Sequence, residues 1–322
     1  TNKPLNDLKK DNVYDDIKSF NNIINKNTDI IIFAISGLDG LDLILHLIKS
    51  GKKIGIANKE CIITLGSKLL KIAKDYSSII VPLDSEHNSI YHLLNNNYGS
   101  FESITITASG GPFYKLPLRS FKNISIKQAL SHPIWKMGKK ITIDSSTLMN
   151  KILELIEAQK LFSLPSNKLD ILIHPNSLVH AIVQFKNGLT KFIYHETSMI
   201  IPLANAIFEG KLDIEDYYKK NNNTPPIQSL IFKKVNKKIF PIIKIKNRAN
   251  EYPSTSIIIN AANEVVVEHF LKKKIPFLGI CKIIMTIMND RNYKKYAIRK
   301  PLNVAQIRLI DHWARKTIIQ KI

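Results

Sequence analysis

Arginine is scarce in this chain. It supplies 6 of the 47 basic residues, lysine the rest, and the net charge is +21 over 322 residues. A chain this basic suggests nucleic acid or an anionic membrane as a partner. Arginine, however, is the usual reader of base edges, and no basic stretch here is interleaved with aromatics, so nucleic acid is not expected. The charge is spread through ordinary segments, with Lys at 272–274 and Asn at 221–223, as AT-rich codon usage produces. Cysteine is nearly absent: Cys61 and Cys281 lie far apart and have no metal-spaced partners, which excludes a zinc site or a disulfide framework and suits a reducing compartment. No apolar run approaches ~20 residues, so no membrane-spanning helix is expected. The Gly-rich strand, turn and helix that bind a dinucleotide pyrophosphate are also missing, and residue 1 is Thr.

Polar chemistry is concentrated elsewhere. From His132 to Glu157 the chain carries hydroxyls, an amide, an imidazole, ammoniums and carboxylates in one run, more than a core tolerates without a purpose. The alternation Ile141-Thr-Ile-Asp144 predicts a short strand, Ser145-Ser146-Thr147 a set of N-cap hydroxyls, and Leu148 to Phe162 a helix. Asn150, Lys151, Glu154 and Glu157 would share one helix face. A helix start bearing Ser145, Ser146, Asn150 and Lys151 suits an anion such as phosphate. Taken alone it is equally a capped helix with a solvated Lys/Glu face.

Three more segments have the same character. An apolar strand from Ser78 to Leu83 runs into Asp84-Ser85-Glu86-His87, whose carboxylates at i and i+2 can share a hard cation; Glu154 would complete an oxygen set for Mg²⁺ or Mn²⁺. Without Glu154 the pair reads equally as loop acids. Ile104 to Ala108 is a strand ending in Ser109-Gly110-Gly111, a turn that lets backbone approach a phosphate or simply closes a strand. Leu172-Ile-His174-Pro-Asn-Ser177-Leu-Val-His180 again ends an apolar strand in polar groups.

Taken in order, Ala57-Asn58-Lys59-Glu60, Leu83-Asp84-Ser85-Glu86-His87, Ser109-Gly-Gly-Pro-Phe113, His132-Pro-x-Trp135-x-Met137-Gly138, Asp144-Ser145, Met149-Asn150-Lys151, Glu154, Glu157-Ala158, His174-Pro-x-Ser177-x-x-His180 and Asn260-Ala-Ala-Asn263-Glu264 resemble the 1-deoxy-D-xylulose 5-phosphate reductoisomerase family. The resemblance runs from about Asp29 to the C-terminus. It implies NADPH- and divalent-metal-dependent rearrangement and reduction of 1-deoxy-D-xylulose 5-phosphate to 2-C-methyl-D-erythritol 4-phosphate in non-mevalonate isoprenoid synthesis. It further implies that Asp84, Glu86 and Glu154 hold Mg²⁺ or Mn²⁺, with Ser85 beside the metal. Ser109, His132, Ser145, Asn150 and Lys151 would bind the substrate phosphate, and Lys59 substrate oxygens. Trp135 would sit in a flap, and Gly138, Ile141, Met199, Asn58 and Glu60 would lie toward the cofactor. Lys59 and Glu154 are the proton-transfer candidates. A homodimer in the bacterial cytoplasm, or a plastid setting, is expected on the same basis.

Departures accompany the matches. The missing fingerprint and Thr1 lead us to expect that the opening of the dinucleotide unit is absent from this chain, and Asp39 stands in the turn 36–40 where a small neutral residue is expected. An isomerase or aldolase acting on a sugar phosphate with a metal but no nicotinamide is the rival enzyme reading; a cationic binding protein is the other rival. The expected fold class is α/β: the remaining part of a Rossmann-like NADPH-binding domain at 1–82, an α/β catalytic domain at 83–208, a connection at 209–239, and a small helical bundle at 240–322. In that bundle, Ser256 to Lys272, Phe277 to Asn289 and Val304 to Ile319 read as helices. Asn260 and Asn263 read as helix-packing or domain-interface amides, with a substrate role as the alternative.

Overall fold

The computed structural model describes residues 23–95, 100–211 and 229–322. Short Ile-rich runs, too brief for helices and flanked by Gly or polar residues, form three parallel strands: β1 (Ile30–Phe33), β2 (Lys53–Ile56) and β3 (Ile79–Pro82). The crossovers carry α1 (Leu41–Leu47), then α2 (Lys59–Leu65) and α3 (Ser67–Asp75). The sheet order is β1-β2-β3. This is the expected Rossmann-like unit; the part of it at 1–22 lies outside the described residues.

The second unit runs through α4 (Ser85–Asn95), β4 (Phe101–Ala108), α5 (Ile126–Ala129), α6 (Lys139–Thr147), α7 (Met149–Leu161), β5 (Leu169–Ile173), β6 (Val179–Phe185), β7 (Thr190–Tyr194), α8 (Ile200–Phe208) and β8 (Lys233–Lys234). Its sheet has the order β7-β6-β4-β5-β8, parallel only between β4 and β5. The helix α7 is the axis of the molecule. Every residue from Met149 to Ala158 is buried, because β4 and β5 cover one side while α2, α3 and α4 cover the other. Four apolar positions in five, Ile152, Leu153, Leu155 and Ile156, therefore serve different neighbours rather than one stripe.

The C-terminal unit consists of α9 (Thr255–Leu271), α10 (Phe277–Ile287), the short α11 (Tyr293–Ala297) and α12 (Val304–Ile319), close to the expected bounds. The helix α9 packs on α10 and α12 and also reaches α2 and α6. The Ser256 hydroxyl donates to the Ile63 carbonyl at 3.1 Å, joining α9 to the Rossmann-like unit.

Two expectations are corrected. Residues 141–144 are not a strand but the middle of α6; of the hydroxyls after them, Thr147 still accepts the N–H of Met149, the first residue of α7, at 3.3 Å. Ser146 donates to the Ile143 carbonyl at 2.7 Å and Thr147 to the Asp144 carbonyl at 3.1 Å, so they satisfy the last turn of α6. The break between the helices is Leu148, at φ 68°. The second correction concerns 209–239. Asn221 to Pro226 lies outside the described residues, but β8 within that stretch pairs with β5, and Phe232 stacks on His174 at 4.7 Å, so its later part belongs to the catalytic sheet.

Candidate active site

Asp84 follows β3 directly and starts α4. It accepts the Glu86 backbone N–H at 3.2 Å while its carbonyl accepts the Asn88 N–H at 2.8 Å, the N-cap arrangement. Glu86 thereby lies in the first turn of α4, two residues on from Asp84. Glu154 reaches the same point from α7. One carboxylate oxygen from each of Asp84, Glu86 and Glu154 lies within 4.8 Å of the others. Three hard oxygens at that spacing fit a divalent cation such as Mg²⁺ or Mn²⁺.

Two ammoniums are threaded between these carboxylates. Lys59, at the start of α2, pairs with Asp84 and lies 3.6 Å from Glu154 and 3.3 Å from Glu157. Lys151 pairs with Glu86 and lies 2.7 Å from Glu154. Burial, joined by the Glu86 carboxylate, pushes the Glu154 carboxyl up, while its two lysines oppose that. For Lys59 burial works against the charge, but Asp84, Glu157 and Glu154 outweigh it and hold the ammonium well above its ordinary value. Asn150 gives its amide N–H to Glu154. His87 is fully buried behind the set. Its Nε2 donates to the Glu154 carbonyl at 2.9 Å, and its Nδ1 faces Asp84 Oδ1 at 3.2 Å. Burial opposes its charge, yet Glu157 and Asp84 raise it to about 9.

Across the cavity stand Ser109 and His132. His132 Nδ1 accepts the backbone N–H groups of Ile134, at 3.2 Å, and Trp135, at 2.8 Å. Its proton is therefore on Nε2, which donates to the Ser109 hydroxyl oxygen at 3.1 Å. Burial, with Lys151 nearby, pushes this imidazole down to about 4, so it stays neutral. Ser109 also accepts the Gly111 N–H at 3.0 Å and keeps its own O–H to donate. Gly111, at φ 59°, must be glycine: a Cβ would lie 3.1 Å from the Ser145 carbonyl and from the Ser146 Cα, and this closeness brings Ser145 to the wall.

The walls enclose about 250 Å³. Of the residues expected in the site, Lys59, Asp84, Ser85, Glu86, Ser109, His132, Trp135, Ile141, Ser145, Asn150, Lys151, Glu154 and Met199 line this one cavity. Asn58, Glu60 and Gly138 do not. Asn58 spends its amide within the protein, capping α2 at the Cys61 N–H and donating to the carbonyls of Ile35 and Gly37. The segment 132–138 forms the roof, with Trp135 edge-on to His180 at 6.1 Å.

Residues outside the expected set also line the cavity: Thr107, Lys136, Met137, Ser177 and His180. Ser177 and His180 stood in the motif that closes on β6, and Met137 in the roof motif, so their signal was in view. Lys136 and Thr107 had none. His180 stacks on His195 at 4.1 Å, and burial holds it well below its usual value.

The model for 1-deoxy-D-xylulose 5-phosphate reductoisomerase matches residues 3–66, that for the enzyme's C-terminal domain residues 80–162, and a further DXP reductoisomerase C-terminal domain residues 196–317. The 1-deoxy-D-xylulose 5-phosphate reductoisomerase of Pelagibacter ubique is 46% identical over 308 residues, covering 94% of this chain and 78% of the relative. The chain belongs to the 1-deoxy-D-xylulose 5-phosphate reductoisomerase family. The reductoisomerase of Wolbachia pipientis from Culex pipiens is 40% identical over 287 residues, covering 86% of this chain and 70% of its own. A crystal structure of DOX-P reductoisomerase with NADPH, fosmidomycin and magnesium superposes with a TM-score of 0.83 at 32% identity, over 92% of this chain and 76% of that one. The Zymomonas mobilis reductoisomerase with NADPH gives 0.78 at 30% identity, over 94% and 78%. Membership of the reductoisomerase family sets aside both rivals, the metal enzyme without a nicotinamide step and the cationic binding protein.

Proposed function

We propose that this chain carries out the NADPH- and divalent-metal-dependent rearrangement and reduction of 1-deoxy-D-xylulose 5-phosphate to 2-C-methyl-D-erythritol 4-phosphate in the cavity between α4, α7 and the roof 132–138. The observation that carries the site assignment is the convergence of Asp84, Glu86 and Glu154 beside two lysines. These three carboxylates would hold Mg²⁺ or Mn²⁺, with Ser85 beside them. The apolar shoulder formed by Met137, Ile141 and Met199 suits a flat nicotinamide ring, with Gly138 opening onto free space next to it. When bound, the cation polarises neighbouring substrate oxygens and NADPH supplies the hydride.

The chain's own residues do the rest. Ser109, neutral His132, Ser145, Asn150 and Lys151 present hydroxyl, imidazole, amide and ammonium donors to the substrate phosphate, which anchors a small molecule away from its reacting carbons. Lys59 Nζ, within reach of Asp84, Glu154 and Glu157, is placed to hold or move the hydroxyl proton; Glu154 is the alternative acceptor. Trp135, carried by the roof, excludes water from hydride transfer. Asn58 serves the cofactor side through the backbone it fixes, and Glu60 through Lys140 at the start of α6.

We place the protein in the bacterial cytoplasm as a homodimer. The relatives named above are bacterial enzymes, and among the described residues β7 is an unpaired sheet edge with Leu189 and Phe192 about half exposed; no helix among those residues is long and apolar enough to cross a membrane. The activity test is NADPH absorbance in the presence of 1-deoxy-D-xylulose 5-phosphate and Mn²⁺. Glu154→Gln keeps the volume and removes one ligand charge; it should weaken Mn²⁺ binding, read by electron paramagnetic resonance, by at least about tenfold and nearly abolish turnover. Wild-type activity at ordinary metal demand would remove Glu154 from the ligand set.

A further inference from the structure

A fully buried polar contact outside the cavity joins the C-terminal unit to the base of the roof. Asn263 on α9 and Asp144 on α6 are 0% and 1% exposed, and Asn263 Nδ2 donates to Asp144 Oδ1 at 2.8 Å. The other oxygen of Asp144 lies 3.1 Å from Lys140 Nζ, and that ammonium lies 3.5 Å from Glu60 on α2. One chain of contacts thus runs from α9 through α6 to the helix that starts with Lys59.

Its position is what gives it meaning. Lys140 is the second residue of α6, immediately after the roof segment, and the N-cap of α6 is Gly138, which has no side chain to fix the helix start. The Thr142 hydroxyl ties the Gly138 carbonyl at 2.8 Å from within the helix, and the contacts of Lys140 and Asp144 anchor that first turn to the elements around it. Asn263 also sits there at a cost, because its Oδ1 is buried without a hydrogen-bond partner. What Asn263 supplies in return is the one amide N–H that meets Asp144 Oδ1, a buried carboxylate oxygen that leucine would leave unpaired.

We infer that Asn263 is a positioning residue for the reaction: through Asp144 and Lys140 it sets the direction in which the roof 132–138 leaves α6, and with it the seat of Trp135 over the substrate. It touches neither substrate nor cofactor. This rests on the cavity assignment above, and the experiment separates the two.

The test compares Asn263→Leu with Ser256→Ala in the full-length protein. Both lie on α9 and both remove one buried hydrogen bond, but the partner of Ser256 is the Ile63 carbonyl, away from the roof. For Asn263→Leu we expect kcat to fall about tenfold with Mn²⁺ affinity unchanged, and amide exchange across 133–139 in the substrate-saturated enzyme to lose the protection seen in wild type. For Ser256→Ala we expect wild-type kcat and roof protection. Lys140→Gln, at a partly exposed site that tolerates change, should reproduce the Asn263→Leu exchange pattern and stands in should that variant not fold. Equal losses in Asn263→Leu and Ser256→Ala would overturn the inference, since they would mark a purely structural role; so would wild-type kcat and roof exchange in Asn263→Leu or in Lys140→Gln. Failure of the cavity assignment itself would appear instead as wild-type protein whose roof gains no protection from substrate.

Discussion

Replacing Lys151 by methionine tests how the carboxylate site stands up without its cation. The ammonium pairs with Glu86 and sits 2.7 Å from Glu154, with 10% of its side chain exposed, against 12% for Glu86 and 1% for Glu154. Methionine has similar length and no charge. Removing one partner of a buried pair costs roughly 3–5 kcal/mol, and the slight exposure of Lys151 and Glu86 places the effect at the lower end, about 3 kcal/mol. For a chain of this size each kcal/mol shifts the melting midpoint by about 2–4 °C, so the metal-free variant should melt about 6–12 °C below wild type. A divalent cation neutralises the same carboxylates. Saturating Mn²⁺ should therefore raise the variant's midpoint more than wild type's and narrow the gap. Differential scanning fluorimetry in EDTA and in Mn²⁺ measures both. A metal-free variant within about 1 kcal/mol of wild type, or a gap that Mn²⁺ leaves unchanged, would refute the view that Lys151 balances the charge of the metal carboxylates.

Three further outcomes follow from the geometry. Gly111→Ala forces a non-glycine residue to φ 59° against the Ser145 carbonyl, and should destabilise by at least about 1–2 kcal/mol in chemical denaturation. His132 is held near 4 in the folded protein and returns to about 6.5 on unfolding, so protons bind the unfolded chain first and the wild type loses stability as pH falls from 7 to 5. His132→Asn lacks that loss, so its stability deficit should shrink across the same window; a constant deficit would mean that the imidazole is not neutral. Finally, Cys61 and Cys281 are buried, and burial pushes the Cys281 thiol up to about 12, so neither should react with Ellman's reagent until the protein unfolds.

The parts of this molecule readable from sequence were those where one residue type answers one physical demand. Asp84, Glu86 and Glu154 could be grouped because a hard cation needs oxygen ligands, and the place of β3 and the length of α9 followed from apolar runs and periodicity. The segment 139–147 misled because nearly all of its faces are covered, by α7, α9 and the turn at 111–113, so no polar stripe marks it as a helix and Ile-Thr-Ile-Asp reads as alternation. The break at Leu148 could not be read either, since a leucine at positive φ is imposed by the packing of two helices and has no local signature. The strand β8 is two lysines, whose only claim to pairing is the edge of β5 beside them. Asn58, expected near the cofactor, turned out to tie the turn at 35–37 to α2; the contacts of a side-chain amide depend on tertiary neighbours.

The three carboxylates proposed to hold the metal arrive on two stretches of chain, and Glu86 stands 65 positions before its partner Lys151 on the helix that bears Glu154. In an unfolded chain this leaves an ion only the weak Asp84 and Glu86 pair, because closing so long a loop must come before the third ligand reaches it. On the proposed assignment, the ion meets its site only after α4 and α7 have docked. Its effect on kinetics falls on the rate at which the finished protein comes apart rather than on the rate at which it forms.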